Sequence, residues 1–573
     1  MPLADLTIAE VHRAVAAHVP ERECVVDGRR RTTYRELFDR SRRLGAYLIR
    51  AEFTCHRPRT ELAAWESGQD HIGIYLYNST EYLESEFGIL SARAAAVNVN
   101  YRYIEKELIY LFSNARLRGL IFHSEFAGKL KAIRSELPEL RLFIQVPDRS
   151  GAPLLPGAIW YEDALQTAFS DFPSIEHSPD DLHILYTGGT TGFPKGVLWR
   201  QADILMVALG GRRPDGGENN LADFVRCAEK SASRTLPAGP FMHASGRWPS
   251  ISQVMLGNTV IIPDNTRRLD ADDIWSTVER ERVVGINIAG DAFARPLLEQ
   301  LHNKRYDLRT LRMISSGAAV LSPAVKRAFL EVLPNIAISD TIGASETGPQ
   351  ASSIARTGDA IAKPSFQLSS STSILSADLT THLYPGSSEV GWLARSGRVP
   401  LGYLGDPERT RSTFPVIGDI RYAVPGDRAR WTPAGQIELL GREAATINSG
   451  GEKIFAEEVE VALKQHAAVY DAVVCGRPHE RWGHEVVALV KLRLGMPVTQ
   501  EELLIECSKH VARYKLPKAF IFADDIRRSA SGKPDYEWAR AQVAADTKAN
   551  IATRGTLNIE ATTSAISRTG IVE

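Results

Sequence analysis

The stretch from Tyr186 to Arg200, YTGGTTGFPKGVLWR, holds the densest set of residues able to do chemistry in this chain. Its glycines let the backbone approach a bulky anion and aim N–H donors at it, with Gly188 and Gly189 the first of them. The hydroxyls of Thr187, Thr190 and Thr191 add donors, and Lys195 supplies a compact positive charge. Such a set suits a polyphosphate. A Walker loop would place Lys directly after its last Gly and follow it with Ser or Thr. Here Phe193 follows Gly192 and Gly196 follows Lys195, so the ordinary P-loop does not apply. A glycine-rich turn that merely joins two elements is the plainer alternative. A second small-residue stretch follows the run Leu311 to Ile314: Gly317, Ala318 and Ala319 either let a flat ring lie on the backbone or make an ordinary strand-to-helix turn.

The elements around these stretches alternate. His183 to Tyr186 reads as a short buried strand feeding the glycines, and His71 to Leu76, Gly119 to Phe122, Leu142 to Val146 and Thr259 to Ile262 read as further strands. Helices are expected from Tyr34, after Ser79, at 125–137, at 271–282 and at 322–333. Asp27-Gly28 signals a hairpin. This order implies an α/β fold with a largely parallel sheet. Past Arg442 the pattern restarts as a smaller α+β unit, and the Thr/Ser-rich segment from Ala541 reads as a tail without fixed structure. The expected domains are therefore residues 1–442, 443–540 and a tail, 541–573.

Composition narrows the partners. The 573 residues carry 68 Lys and Arg against 69 Asp and Glu, a balance that offers no overall field for nucleic acid. The five cysteines are scattered, odd in number and without a CxxC, which argues against a disulfide framework or zinc site and fits a reducing cytoplasm. No stretch approaches a membrane span, which leaves peripheral membrane contact and homo-oligomer formation open. Small-molecule substrates are expected.

Taken with four more motifs in order, the glycine stretch resembles the phosphate loop of the adenylate-forming superfamily, which includes acyl-CoA synthetases, peptide-synthetase adenylation domains and luciferases. Those motifs are Pro237 to Trp248 (PAGPFMHASGRW), Asp340 to Gly348 (DTIGASETG), Pro425 to Arg428 with Gly441-Arg442, and Arg527 to Lys533 (RRSASGK). The resemblance spans Thr7 to Arg540 and implies a large N-terminal domain with a small mobile C-terminal one. It implies that Asp340, Thr341 and Ile342 lie at the adenine, with Ile342 where an aromatic is usual. Ser345 replaces a Thr, and Glu346 would hold the magnesium on ATP. His243, with Gly246, would stand beside the acyl carboxylate, and Asp427 would take the ribose hydroxyls. Arg442 would approach the ribose and phosphate, Gly450, Gly451 and Lys453 would shape the pantetheine channel, and Lys533 would be the catalytic lysine. Ala444 and Arg527 depart from the usual pattern.

The implied activity is an AMP-forming acyl-CoA ligase that uses ATP, Mg²⁺ and coenzyme A on a hydrophobic acid, in the manner of actinobacterial fatty-acid and steroid side-chain ligases. The apolar Phe241, Met242, Trp248, Phe293 and Leu297 predict a hydrophobic acyl group without fixing its length, and Phe293 and Leu297 are as consistent with core. Transfer to a carrier protein, or a nucleotide-binding homologue that has lost catalysis, are the competing readings.

Overall fold

Runs of β-branched and aliphatic residues too short for helices assemble into three sheets in one part of the chain and a fourth in the other. The structure, a computed structural model, describes residues 5–166, 175–189, 192–213, 216–319, 321–361, 366–442, 445–449, 452–479, 483–529 and 532–547. It divides into two units, Met1–Glu438 with Ala530–Gly532, and Leu439–Ser529 with Lys533–Glu573.

In the first unit a nine-stranded sheet runs Gln367–Leu368, Gly348–Ala355, Ala337–Ala344, Met313–Ser316, Gly285–Ile288, Arg234–Pro237, Thr259–Ile262, Glu23–Asp27, Arg30–Thr33. The six strands from Ala337–Ala344 to Glu23–Asp27 are mutually parallel, and antiparallel strands finish both edges. An eight-stranded sheet runs Gly402–Tyr403, Gly192–Arg200, Leu182–Gly189, Ala95–Asn98, His71–Tyr75, Leu117–His123, Leu142–Val146, Ile159–Trp160, parallel from Leu182–Gly189 onward. Strands buried on both faces need continuous apolar sequence, and Thr259–Ile262 and His71–Tyr75 are buried at every position.

Helices Ile8–His18, Tyr34–Arg50, Thr80–Ser91 and Ala244–Met255 share one core with residues of both sheets, among them Val260, Ile262, Ile72 and Leu185. Their starts are capped by short polar side chains where the sequence places them: Thr33 before Tyr34 and Ser79 before Thr80. The Asp27-Gly28 hairpin forms, with Gly28 at φ 59°. A third, antiparallel sheet holds Thr372–Leu375, Gly391–Ser396 and Asp427–Trp431.

The second unit has its own five-stranded sheet: Glu452–Phe455, Thr446–Ser449, Gly483–Leu492 and Val469–His479, with Ala519–Phe522 parallel to Gly483–Leu492. Helices Ala456–Leu463 and Gln500–Ser508 and the helix over 536–547 complete its core. That last helix continues past Ala541, so the first seven residues of the expected tail are helical: Val543 and Ala539 are buried there and hold the helix down. Among the described residues no helix is long and apolar enough to cross a membrane, and all five cysteines are free thiols.

Candidate active site

The glycine stretch is not an open loop after a strand. Leu182–Gly189 continues through the glycines and pairs antiparallel with Gly192–Arg200, placing Thr187 directly opposite Lys195 and Gly189 opposite Gly192. Cross-strand pairing thus puts a hydroxyl and an ammonium side by side, and a register shift between Thr187 and Gly189 bends the hairpin near its tip. Thr190 and Thr191 lie outside the described residues, as do the surroundings of Gly188 and Gly189. Gly196 is required by close packing: a Cβ there would fall 2.7 Å from the ring of Tyr186. That buried ring donates its hydroxyl to Asn114 Oδ1 at 2.6 Å, and burial pushes the phenol far above its ordinary range.

The carboxyl ends of the parallel strands form the second half, as expected of an open α/β sheet. Ile288 stands in register with Ser316, and Ser316 with Asp340. Beyond Ser316 the chain turns sharply: Ala318 adopts φ 66°, a left-handed conformation unusual for a residue with a Cβ, and Ala319 N donates to Gly317 O at 2.8 Å. The turn is anchored from behind. Gly317 N donates to Ile288 O, Gly290 N to Ser316 Oγ at 3.1 Å, and Ser322 N to Asp291 Oδ1 at 2.7 Å, while Arg295 pairs with Asp291 at 3.2 Å. Asp340, expected at the adenine, is nearly buried, and its Oδ2 forms an ion pair with Lys326 Nζ at 2.7 Å.

After Thr341 and Ile342 the strand reverses through Ser345-Glu346. Buried Thr347 closes this turn by accepting from Ala344 N at 3.0 Å and donating to Gly348 O at 2.9 Å. Ser345 contributes its carbonyl, which accepts from Trp199 Nε1 at 2.9 Å, so the turn is tied to the hairpin strand that carries Lys195. Glu346 Oε1 accepts from the hydroxyl of Tyr403 at 2.7 Å, and Lys195 Nζ lies 5.3 Å from the centre of the same ring. Tyr403, in a two-residue strand paired with Val197, therefore brings together two expected site residues 151 positions apart in sequence, Lys195 and Glu346. Nothing in the sequence around Gly402-Tyr403 distinguishes it from core.

His243 is the residue before helix Ala244–Met255, its carbonyl taking the first helical bonds from Gly246 N and Arg247 N. The loop leading to it is braced by two buried asparagines at the carboxyl ends of the second sheet. Asn78 accepts from Phe241 N at 2.7 Å and donates to Gly239 O. Asn98 donates to Met242 O at 2.6 Å and to Tyr186 O at 2.9 Å, and accepts from Tyr186 N at 2.7 Å. An Asn closing the otherwise apolar strand Ala95–Asn98 is the signal that could have found it.

One turn into the helix, wholly buried Arg247 forks onto Glu86 at 2.9 and 3.0 Å and donates to Ile184 O. His183 Nδ1 lies 3.3 Å from Glu86, and Trp248 Nε1 donates to His183 Nε2. Burial alone would push the Glu86 acid up; the Arg247 charge and His183 outweigh it and bring it down to about 2.

Phe241 and Trp248 pack in the core between the sheets, Met242 in the core of the second sheet, and Phe293 and Leu297 in that of the first. None of the five exceeds 8 % exposure. Large apolar side chains beside a His are equally good core formers, and the sequence does not separate the two uses.

Asp427 opens strand Asp427–Trp431 after Gly426, whose φ of 104° makes the turn; it is nearly buried. The side chains of Arg442 and Lys453 lie outside the described residues, as do Gly450 and Gly451, though the backbone of Lys453 pairs with Asn448. In the second unit Lys533 is tied to Ser529: Ser529 N donates to Lys533 O at 2.8 Å and Lys533 N to Ser529 Oγ at 3.1 Å. Arg528 is bidentate on Asp471 at 2.6 and 2.7 Å.

Two families match the chain: AMP-binding enzyme over residues 12–373, and AMP-binding enzyme C-terminal domain over residues 458–533. The medium-chain acyl-CoA ligase Mig of Mycobacterium avium is 47 % identical over 539 residues, covering 94 % of this chain and 98 % of that protein. The 3-oxocholest-4-en-26-oate–CoA ligase of Rhodococcus rhodochrous is 38 % identical, covering 94 % and 96 %. Among solved structures, the anthranilate CoA ligase AuaEII bound to anthranoyl-AMP superposes with a TM-score of 0.78 at 21 % identity, covering 95 % of this chain and 99 % of that one. ATP-bound MatB from Rhodopseudomonas palustris superposes with 0.75 at 21 %, covering 94 % and 99 %. At that identity the likeness establishes the fold.

Proposed function

The chain belongs to the AMP-binding enzyme family, and on that premise we propose that it is an acid–thiol ligase that activates a hydrophobic carboxylic acid with ATP and passes the acyl group to coenzyme A. The observation that carries the site assignment is the meeting of Lys195, Tyr403 and Glu346: a cation for a polyphosphate stands beside a carboxylate suited to the metal that accompanies it. The acid is of the medium-chain, long-chain or bulky alicyclic kind, in keeping with the names of the relatives at 47 % and 38 % identity.

In the first half-reaction a carboxylate oxygen of the acid attacks the α-phosphorus of ATP, the bond from that phosphorus to the bridging oxygen breaks, and diphosphate leaves. In the second the thiol sulfur of coenzyme A attacks the acyl carbon, AMP leaves, and the thiol proton passes to solvent. Thr187 and Lys195 hold the polyphosphate, with Gly188, Gly189, Thr190 and Thr191 as its further partners. Glu346, with its oxygen fixed by Tyr403, would hold Mg²⁺, which when bound neutralises phosphate charge. Gly317 to Ala319 and Asp340 to Ile342 receive the adenine, Asp427 and Arg442 the ribose, and His243 the acid's carboxylate.

Lys533 supplies charge at the reacting phosphorus, and the unit that carries it rotates between half-reactions about the segment near residue 443, bringing Gly450, Gly451 and Lys453 to the pantetheine. Such a rotation needs only a few residues that absorb φ/ψ change. The reaction proceeds in the cytoplasm.

The test is formation of AMP and thioester across short, medium, long and steroid acids with coenzyme A. Medium-to-long or steroid acids should be turned over, and a preference for short polar acids would overturn the substrate class. Lys533→Ala should lose about 10²- to 10³-fold in adenylation, as loss of one preorganised donor does, while still making thioester from supplied acyl-adenylate. Equal loss of both steps would remove Lys533 from this role.

A further inference from the structure

Lys326 is a lysine buried to 4 % exposure on helix Pro323–Val332, and its ammonium contacts one carboxylate, Asp340, at 2.7 Å and faces the ring of Phe366 at 5.9 Å. A buried ion pair is a poor way to add stability, because apolar residues of the same volume usually pack as well. What the pair does supply is a fixed charge state. Asp340 sits in register between Ser316 and Ser353, one residue before Thr341 and alongside the turn of Ala318.

We propose that Lys326 sets the base selectivity of the nucleotide site: by keeping Asp340 ionised it makes that carboxylate a pure acceptor, which pairs with the 6-amino group of adenine and repels the 6-oxo group of inosine or guanine. The proposal rests on the placement of adenine at Gly317 to Ala319 and Asp340 to Ile342. An ionised carboxyl has only lone pairs to offer, whereas a protonated one carries an O–H donor that a 6-oxo purine would accept. The charge state of Asp340 therefore decides which base is read.

The groups facing Asp340 are Lys326 from one helix and Asp291, itself paired with Arg295, from helix Gly290–Asn303; the backbone N–H of Thr341 also donates to it. Burial pushes the Asp340 acid above its ordinary value, Lys326 opposes that, and Asp291 adds to it. With Lys326 gone, burial and Asp291 act together and raise the Asp340 acid further. Lys326 is thus a positioning residue that acts through Asp340.

The experiment compares ATP with ITP, as kcat/KM in thioester formation and as dissociation constants from calorimetry, between about pH 6 and 9. The binding arm reads base selectivity even if no acid is turned over, so failure of the ligase reading appears separately as absent thioester. Wild type should prefer ATP at every pH. Lys326→Met should lose about ten- to a hundredfold of that preference at the acid end, the range for a hydrogen bond to a charged group, and recover it as pH rises. Should Lys326→Met not fold, Asp340→Asn and the neutral double variant K326M/D340N take its place; their amide both donates and accepts, so preference should fall by a similar factor with no pH dependence. An unchanged ATP:ITP ratio in the variants at all pH, or a wild type indifferent to the base, overturns the proposal.

Discussion

Tyr403→Phe isolates the contact on which the site assignment turns. The substitution keeps the ring under Lys195, 5.3 Å from its ammonium, and deletes only the hydroxyl that donates to Glu346 at 2.7 Å. A hydrogen bond to a charged group contributes about 1.5 to 3 kcal/mol. Tyr403 is buried while Glu346 is half-buried, so water can reach the carboxylate and replace part of what is lost, which favours the lower end. About 1.5 kcal/mol corresponds to roughly tenfold. If Glu346 holds the metal, that factor should fall on the Mg²⁺ and ATP dependence of diphosphate release, because the freed carboxylate swings out of place. The assay is diphosphate release at saturating acid over a Mg²⁺ titration, with thermal unfolding alongside. A rightward shift of about tenfold in the Mg²⁺ requirement with little change in melting temperature is expected. Superimposable Mg²⁺ curves with a lowered melting temperature would show that the hydroxyl only holds the turn together, and the assignment of Glu346 would fall with it.

Two further changes probe the scaffold. Gly246→Ala would put a Cβ 2.4 Å from Gly239 O and 2.5 Å from Pro240 O, both backbone atoms, so the loop before His243 must move; acid KM should rise and unfolding should show a loss of about 1 to 3 kcal/mol, typical of overpacking. His12, stacked on Phe87 at 4.1 Å and with Nε2 finding no hydrogen-bond partner among the described residues, is held neutral by burial, its value lowered from 6.5 to about 3. Between those values the unfolded chain binds a proton that the folded one does not. Stability should therefore fall as pH drops below 6.5, by up to about 1.4 kcal/mol per unit, and urea unfolding of His12→Phe at pH 7 and 5 should lack that share of the decline.

The elements whose signal is local were legible. Thr33 and Ser79 cap helices where their side chains can reach back to the backbone, and Asp27-Gly28 turns a hairpin because glycine tolerates a positive φ. The pairing of the glycine stretch as a hairpin was not legible, because it depends on Gly196 clearing the Tyr186 ring and on Tyr403 extending the sheet from far along the chain. The ion pair of Asp340 with Lys326 was not legible, since a lone Lys on an amphipathic helix reads as solvated. For Phe241, Met242, Trp248, Phe293 and Leu297 the sequence does not tell the two uses apart, because burial in a core and burial against a ligand demand the same side chains.

Asn98 shows how the two halves of the site are kept in step. Its amide takes three bonds at once, two to the backbone of Tyr186 in the glycine hairpin and one to the carbonyl of Met242 beside His243. All three partners are main-chain atoms, so the clamp fixes the paths of two loops and not the identity of their side chains. The oxygen of the acid must meet the α-phosphorus within a few tenths of an ångström of the productive line, and a misplacement of about 1 Å costs on the order of a hundredfold. A hairpin and a loop borne on separate elements would drift by that much if each were tied only to its own strand. Arg247 closes the same circuit one layer deeper, joining Ile184 of the hairpin strand to Glu86 and, through its own helix, to His243. With polyphosphate and acid bound as proposed, the parts that hold them are tied to one another, which is what an in-line displacement between two separately bound substrates requires.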